Sequence, residues 1–235
     1  MSEKAAIVTG AGRGIGRAVA ARMARDGYNL TLAGRTAGSL NAAARDARRH
    51  KVKVLVAPTD VRVAAEVQAL VDATVEAFGR IDLLVNSAAV AINQAQIEQF
   101  SEADFDATFD TNVKGIFLTT RAVWPVMKGQ ADGGVIVNIS SLSARNPFAG
   151  LAVYGASKAA VNLMTASLAR IGRQHNIRLY AVGLGAVETD MLRGLFPDFP
   201  DEKVLRPEEV ADLVARCTDP ALRHCSGEPL WISKQ

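Results

Sequence analysis

The chain has 235 residues, 49% hydrophobic and 22% charged, which suits one compact α/β domain with a large core. Two cysteines (Cys217, Cys225) without C-x2-C spacing and three scattered histidines (His50, His175, His224) argue against a zinc site and for a reduced, cytoplasmic setting. No apolar stretch approaches membrane-spanning length, no long apolar leader opens the chain, and a net charge of +3 without a basic recognition helix gives no support for nucleic acid as a partner.

The first predicted strand, 5–9, is the short apolar run Ala-Ala-Ile-Val-Thr of a buried parallel strand. It leads through Thr9-Gly-Ala-Gly-Arg-Gly-Ile-Gly16 into a helix predicted over 15–26, where Ile15, Ala18, Val19 and Met23 suit packing on a sheet. A glycine turn between strand and helix aims backbone N–H groups and the positive helix end at an anion. Gly10, Gly14 and Gly16 would let a pyrophosphate approach the backbone closely, in a G-x3-G-x-G spacing rather than the G-x-G-x-x-G fingerprint. The second strand, 28–33, runs into Gly34 and Arg35, where an acid would select NAD by bonding the ribose 2′-hydroxyl. An arginine there clamps a 2′-phosphate instead, and Arg13 inside the glycine loop is placed as a second clamp, so NADP(H) is expected over NAD(H). Residues 1–62 hold twelve Lys/Arg against four Asp/Glu, of which Arg45, Arg48, Arg49 and Lys51 read as a solvated helix face.

Further along, a helix at 37–49 and a strand at 52–57 precede Asp60, which suits the N-cap of a helix at 62–79. A strand at 82–86 ends on Asn86, a long helix follows at 103–128, and a strand at 134–140 runs into Asn138-Ile-Ser-Ser141. The helix at 152–173 carries Tyr154 and Lys158 at i,i+4, one turn apart on one face. A phenol is a poor acid at neutral pH, and a fixed ammonium beside it is expected to lower its pKa into the working range. A strand at 177–183 is followed by an apolar segment, about 189–205, that reads as a short lid. A helix at 207–217, opened by Pro207, and a strand at 229–232 complete the chain. Strict alternation predicts a Rossmann-like, doubly wound parallel sheet of about seven strands with helices on both faces, one domain over 1–235. Ligands in such sheets sit at the carboxyl ends of the strands, where Gly10–Gly16, Arg35, Asp60, Asn86, Ser141 and Gly185 all fall.

These motifs together resemble the short-chain dehydrogenase/reductase family, over roughly residues 4 to 232. The family's Thr-Gly-x3-Gly-x-Gly is matched by Thr9 to Gly16, its tyrosine and lysine by Tyr154 and Lys158, its serine by Ser141, and its asparagine by Asn112 in Thr111-Asn-Val-Lys-Gly115. The resemblance implies hydride transfer between a nicotinamide and a carbonyl or secondary alcohol, with Tyr154 as general acid/base and Ser141 bonding the substrate oxygen. It further implies that Lys158 binds the nicotinamide ribose and that Asn112 holds a water leading from Lys158 to solvent. The serine's interval of thirteen residues to the tyrosine selects Ser141 over Ser140. Ile15, Asp60, Val61, Asn86, Ala88, Gly185, Val187 and Thr189 match further cofactor-contact positions, Asp60 and Val61 at the adenine and Val187 and Thr189 at the carboxamide. The family's Asn-Asn-Ala-Gly stands here as Asn86-Ser-Ala-Ala89, its Pro-Gly as Leu184-Gly185, and the chain ends without Asp-Gly-Gly. In general appearance the chain is similar to 3-oxoacyl-carrier-protein reductases. A homodimer or homotetramer built on the helices at 103–128 and 152–173 is implied as well. Leu142, Phe148 and Leu151 with the lid suggest a partly apolar substrate pocket, and Arg145 is a candidate contact for an acidic substrate group. The competing class, a dinucleotide-binding regulator or scaffold without catalysis, normally lacks the tyrosine or lysine that this chain keeps.

Overall fold

The computed structural model describes residues 3–92 and 96–234. Seven strands form one parallel sheet: β1 (Ala5–Thr9), β2 (Asn29–Gly34), β3 (Val54–Pro58), β4 (Leu83–Asn86), β5 (Gly134–Ser141), β6 (Ile177–Leu184) and β7 (Pro229–Ile232). Their order is β3-β2-β1-β4-β5-β6-β7, so the winding direction switches between β1 and β4. The two loops leaving those strands diverge there, and the gap between them opens a crevice at the carboxyl edge. The Rossmann-like doubly wound fold read from the sequence is the fold of the protein.

The strands are apolar at nearly every position because helices cover both faces. Side chains alternate between two cores. Ala6, Val8, Leu83, Val85, Val135, Val137 and Val182 pack with α1 (Gly14–Arg25), α2 (Ala37–Arg48) and α8 (Pro207–Arg216). Ile7, Leu84, Ile136 and Leu179 pack on the other face with α3 (Ala64–Phe78), α5 (Gly115–Lys128) and α6 (Ala152–Gly172).

Two elements differ from the sequence expectation. The helix predicted at 103–128 is α4 (Glu102–Phe109) and α5 joined by a π-helical turn, Asp110–Lys114. Such a turn admits one extra residue and re-aims the side chains on it. The lid contains a short helix, α7 (Asp190–Leu195), which the apolar run concealed. Among the described residues no helix is long and apolar enough to cross a membrane, and no cluster of His, Cys, Asp and Glu is placed to hold a metal.

Candidate active site

The glycine loop between β1 and α1 closes one end of a cleft of about 800 Å³ along the carboxyl edge of the sheet. That volume lies in the range of small-molecule and cofactor sites, about 300–1,000 Å³. Gly10 and Gly14 take left-handed φ angles of +65° and +51°. Space demands glycine too: a Cβ on Gly16 would lie 2.3 Å from the Gly10 carbonyl oxygen, and one on Gly10 2.9 Å from the Ala88 nitrogen. Thr9 braces this close approach, its hydroxyl accepting from the N–H groups of Ser87 and Ala88 at 3.1 Å each. No side chain caps the first turn of α1, and no acid stands in it. Arg13, Gly14, Ile15 and Gly16 line the cleft, so the helix presents unpaired N–H groups and its positive end there. A cradle that any Cβ would fill, ending on an uncapped helix, fits the pyrophosphate of a dinucleotide.

Beyond the loop, Arg35 is exposed on the cleft wall, and no carboxylate pairs with it among the described residues. Arg13 is already engaged, Nη1 lying 3.3 Å from Asp190 Oδ2 with both side chains about three-quarters exposed. Asp60 and Val61 also line the cleft. The Asp60 carboxylate is gripped by the Arg62 guanidinium at 2.6 to 3.0 Å, which holds it below the usual carboxylate range. Asp60 is not the N-cap of α3: the helix begins at Ala64 with Val63 as cap, and the Asp60 carboxylate instead accepts from the Arg62 backbone N–H and guanidinium. Asn86 corrects a second expectation. It does not line the cleft but points into the core, where its Nδ2 donates to Asn138 Oδ1 at 2.9 Å and its Oδ1 accepts from the Thr119 hydroxyl at 2.8 Å. Alternation along β4 turns it inward while the following Ser87 and Ala88 reach the cleft.

At the other end, α6 brings Tyr154 and Lys158 against the end of β5. Lys158 is 1% exposed, its Nζ donating to the Ile139 carbonyl at 2.9 Å and standing 5.6 Å from the Tyr154 ring centroid. Burial pushes its ammonium down to about 8. The phenol of Tyr154 is pushed up from its ordinary value by desolvation, and a hydrogen bond with Ser141 partly opposes the rise. The expected lowering by Lys158 is therefore not met. Desolvation dominates, and the ammonium faces the Ile139 carbonyl. At neutral pH Tyr154 stands as a neutral phenol, a proton donor.

Ser141, partly exposed, lies on the cleft wall beside Tyr154, whereas Ser140 is 2% exposed with its hydroxyl 3.4 Å from the Lys158 carbonyl. Asn112 sits on the π-helical turn and is fully buried. Its Oδ1 accepts from the Val90 N–H at 2.9 Å, and its Nδ2 donates to the Val90 carbonyl at 2.9 Å and to Ser157 Oγ at 3.1 Å. Both amide protons are thus committed to the chain, which makes Asn112 a clamp between the loop after β4 and α6. Ser157 completes that clamp by donating to the Tyr154 carbonyl at 2.7 Å.

Gly185, Val187 and Thr189 form the facing wall. Thr189 caps α7, accepting from Leu192 N–H at 3.2 Å, and a Cβ on Gly14 would come within 3.2 Å of its methyl. The lid thereby closes on the glycine loop. Arg193 ties the lid together, donating to the Glu188 carboxylate at 2.9 and 2.5 Å, to the Phe199 carbonyl at 2.7 Å and to the Asp201 carboxylate. Leu142, Phe148 and Leu151 line the cleft as expected, joined by Met191, Leu195 and Phe196 of the lid. Arg145 does not; its guanidinium lies 5.7 Å from the Trp231 ring centroid, outside the cleft. Sequence reasoning missed Arg193, Ser157 and Ser143. For Ser143 a signal existed, since Ser141 and Ser143 are two residues apart at the end of a strand.

A family model described as short chain dehydrogenase matches residues 4–199. An uncharacterized oxidoreductase of Staphylococcus haemolyticus is 34% identical over 94% of each chain. The solved 3-ketoacyl-(acyl-carrier-protein) reductase of Brucella melitensis, complexed with NADH, superposes with a TM-score of 0.91 at 30% identity, covering 97% of this chain and 96% of that one. A metagenomic short-chain oxidoreductase in complex with NADP superposes with a TM-score of 0.85 at 30% identity, over 100% and 98% of the two chains.

Proposed function

Because this chain belongs to the short chain dehydrogenase family, and is thus an oxidoreductase dependent on a nicotinamide dinucleotide, we propose that it reduces a carbonyl to a secondary alcohol with Tyr154 as general acid. The observation that carries this reading is one cleft with the glycine cradle at one end and Tyr154, Ser141 and Lys158 at the other. When bound, the dinucleotide supplies a hydride from its nicotinamide ring.

Gly10, Gly14, Gly16 and the start of α1 hold the pyrophosphate, Ile15 and Ala88 flank it, and Asp60 with Val61 receive the adenine. Gly185, Val187 and Thr189 face the carboxamide end, while Lys158 bonds the ribose hydroxyls. Arg35, exposed and without a carboxylate partner among the described residues, binds the 2′-phosphate and makes NADP(H) the preferred cofactor, with Arg13 joining it on release from Asp190. As negative charge develops on the substrate oxygen, Tyr154 transfers its phenolic proton to that oxygen and Ser141 donates a hydrogen bond to it. Asn112 acts indirectly, by fixing α6 and the loop after β4. The apolar walls select a ketone with an apolar body.

The family resemblance and the surface both favour a homo-oligomer. On α6, Ala152, Ala156, Ala159 and Leu163 form one exposed stripe, Leu163 at 74% exposure, and Phe117 of α5 is exposed at 46%. Ala169, by contrast, packs against the chain's own core.

Tyr154→Phe keeps the ring and removes the proton, so turnover of a ketone panel with NADPH should fall about a hundredfold or more. Dinucleotide affinity should stay within twofold. Retention of most of the turnover would refute the role given to Tyr154.

A further inference from the structure

We propose that Ser143 is a positioning residue that fixes the Ser141 hydroxyl as a pure hydrogen-bond donor toward the reaction. The inference rests on the role given above to Tyr154 and Ser141. Ser143 sits in the 3₁₀ turn Leu142–Ala144 directly after β5 and is 5% exposed. Its backbone N–H donates to Ser141 Oγ at 3.2 Å, and the two hydroxyl oxygens are 2.6 Å apart. On its other side, a Cβ on Gly155 would come within 3.1 Å of the Ser143 carbonyl, so the residue after Tyr154 is packed against this turn. Ser143 is therefore bonded to Ser141 on one side and packed against Gly155, the residue after Tyr154, on the other.

The direction of the hydroxyl contact follows from counting protons. A serine oxygen accepts two hydrogen bonds and donates one. Among the described residues the Ser143 hydroxyl is bonded to Ser141 Oγ alone, whereas the Ser141 hydroxyl stands on the cleft wall with Tyr154 and the space open to a substrate. Ser143 Oγ–H thus donates to Ser141, and its N–H fills the second acceptor position. With both lone pairs occupied, Ser141 can only donate, first to the Tyr154 oxygen and then to the substrate oxygen as charge develops there. Chained donors of this kind strengthen one another, and a donor already aimed needs no reorganisation during the reaction. No covalent bond is made or broken at Ser143. The same chain stabilises the ionised form of Tyr154, which explains how desolvation of that phenol is partly offset.

The test compares Ser143→Ala, Ser143→Thr and Ser143→Val. Ionisation of Tyr154 is read by ultraviolet difference absorbance of tyrosinate, with Tyr154→Phe as the blank for the other two tyrosines. Activity is read as NADPH oxidation with 2,3-butanedione as probe. Ser143→Ala should raise the Tyr154 pKa further and lower kcat ten- to a hundredfold, with KM for NADPH within twofold. Because Thr and Val share a shape and differ in the hydroxyl, Ser143→Thr should recover most of kcat and the wild-type titration, and Ser143→Val should not. Equal titrations and equal kcat for the Thr and Val variants would overturn the proposal, even if the alanine variant failed to fold. A wild-type alanine variant beside an inactive Tyr154→Phe would refute the role of Ser143 alone. Full activity of Tyr154→Phe would instead refute the underlying reading.

Discussion

Lys158 Nζ and the carbonyl oxygen of Ile139 are 2.9 Å apart, and they form the contact that holds a lysine at 1% exposure inside the domain. The arrangement burdens the fold with a desolvated charge and places that charge beside Tyr154, the proposed general acid. Moving the ammonium from 10.5 to about 8 corresponds to roughly 3 kcal/mol. Since the folded value lies below the unfolded one, the penalty is fully present below about pH 8 and is relieved as pH rises toward 10.5. Lys158→Met should therefore be inactive yet more stable than wild type at pH 7, by about 2 kcal/mol after loss of the Ile139 bond. Urea denaturation at pH 7 and pH 10 should show the gap shrinking, and an unchanged gap would count against the buried charge. In the same vein, reductive kcat/KM should decline above about pH 8 as Lys158 loses its proton.

The proposed preference for NADP(H) rests on Arg35. Removing a charge-assisted hydrogen bond costs about 1.5–3 kcal/mol, or one to two decades in affinity. Arg35→Ala should raise KM for NADPH by that factor and leave KM for NADH nearly unchanged. Arg13→Ala should matter less, because Arg13 is already shared with Asp190. A wild-type enzyme that prefers NADH would contradict the assignment of both arginines.

Four buried side chains tie the sheet to the helices that carry the site. Thr119 of α5 donates to Asn86, Asn86 to Asn138, and Asn138 to Thr165 of α6, at 2.8, 2.9 and 2.8 Å. Replacing Asn138 leaves the Asn86 Nδ2 without its acceptor inside the core, although Thr165 keeps its bond to the Val161 carbonyl. Asn138→Leu should lower stability by about 2–4 kcal/mol in chemical denaturation. Loss of less than 0.5 kcal/mol would mean that the chain of bonds is dispensable.

The lid depends on Arg193, which joins Glu188, Phe199 and Asp201. Arg193→Ala should free the segment between α7 and Leu205, making it the first site cut in limited proteolysis. The substrate KM should rise several-fold with little change in cofactor KM. Protease resistance equal to wild type would show that apolar packing of Phe196 and Phe199 suffices.

Alternation of apolar strands with helix-forming segments, and the glycine turn between β1 and α1, made the fold and both ends of the cleft legible in the sequence. Those features are local: each depends on residues within a turn or a strand of one another, so spacing alone reveals them. Tyr154 and Lys158 were readable for the same reason, being one helical turn apart. What the residues do to one another was decided by tertiary structure. Asn86 faces the core because β4 lies between β1 and β5, which the sequence of β4 does not state. Asp60 serves Arg62 rather than the helix end, since α3 begins only at Ala64 and the carboxylate meets the Arg62 guanidinium and backbone N–H first. The π-helical turn that lets Asn112 grip Val90, and the burial that raises Tyr154 while lowering Lys158, arise only when distant segments pack. Desolvation and hydrogen-bond competition are properties of the assembled interior, and the order of residues along the chain does not contain them.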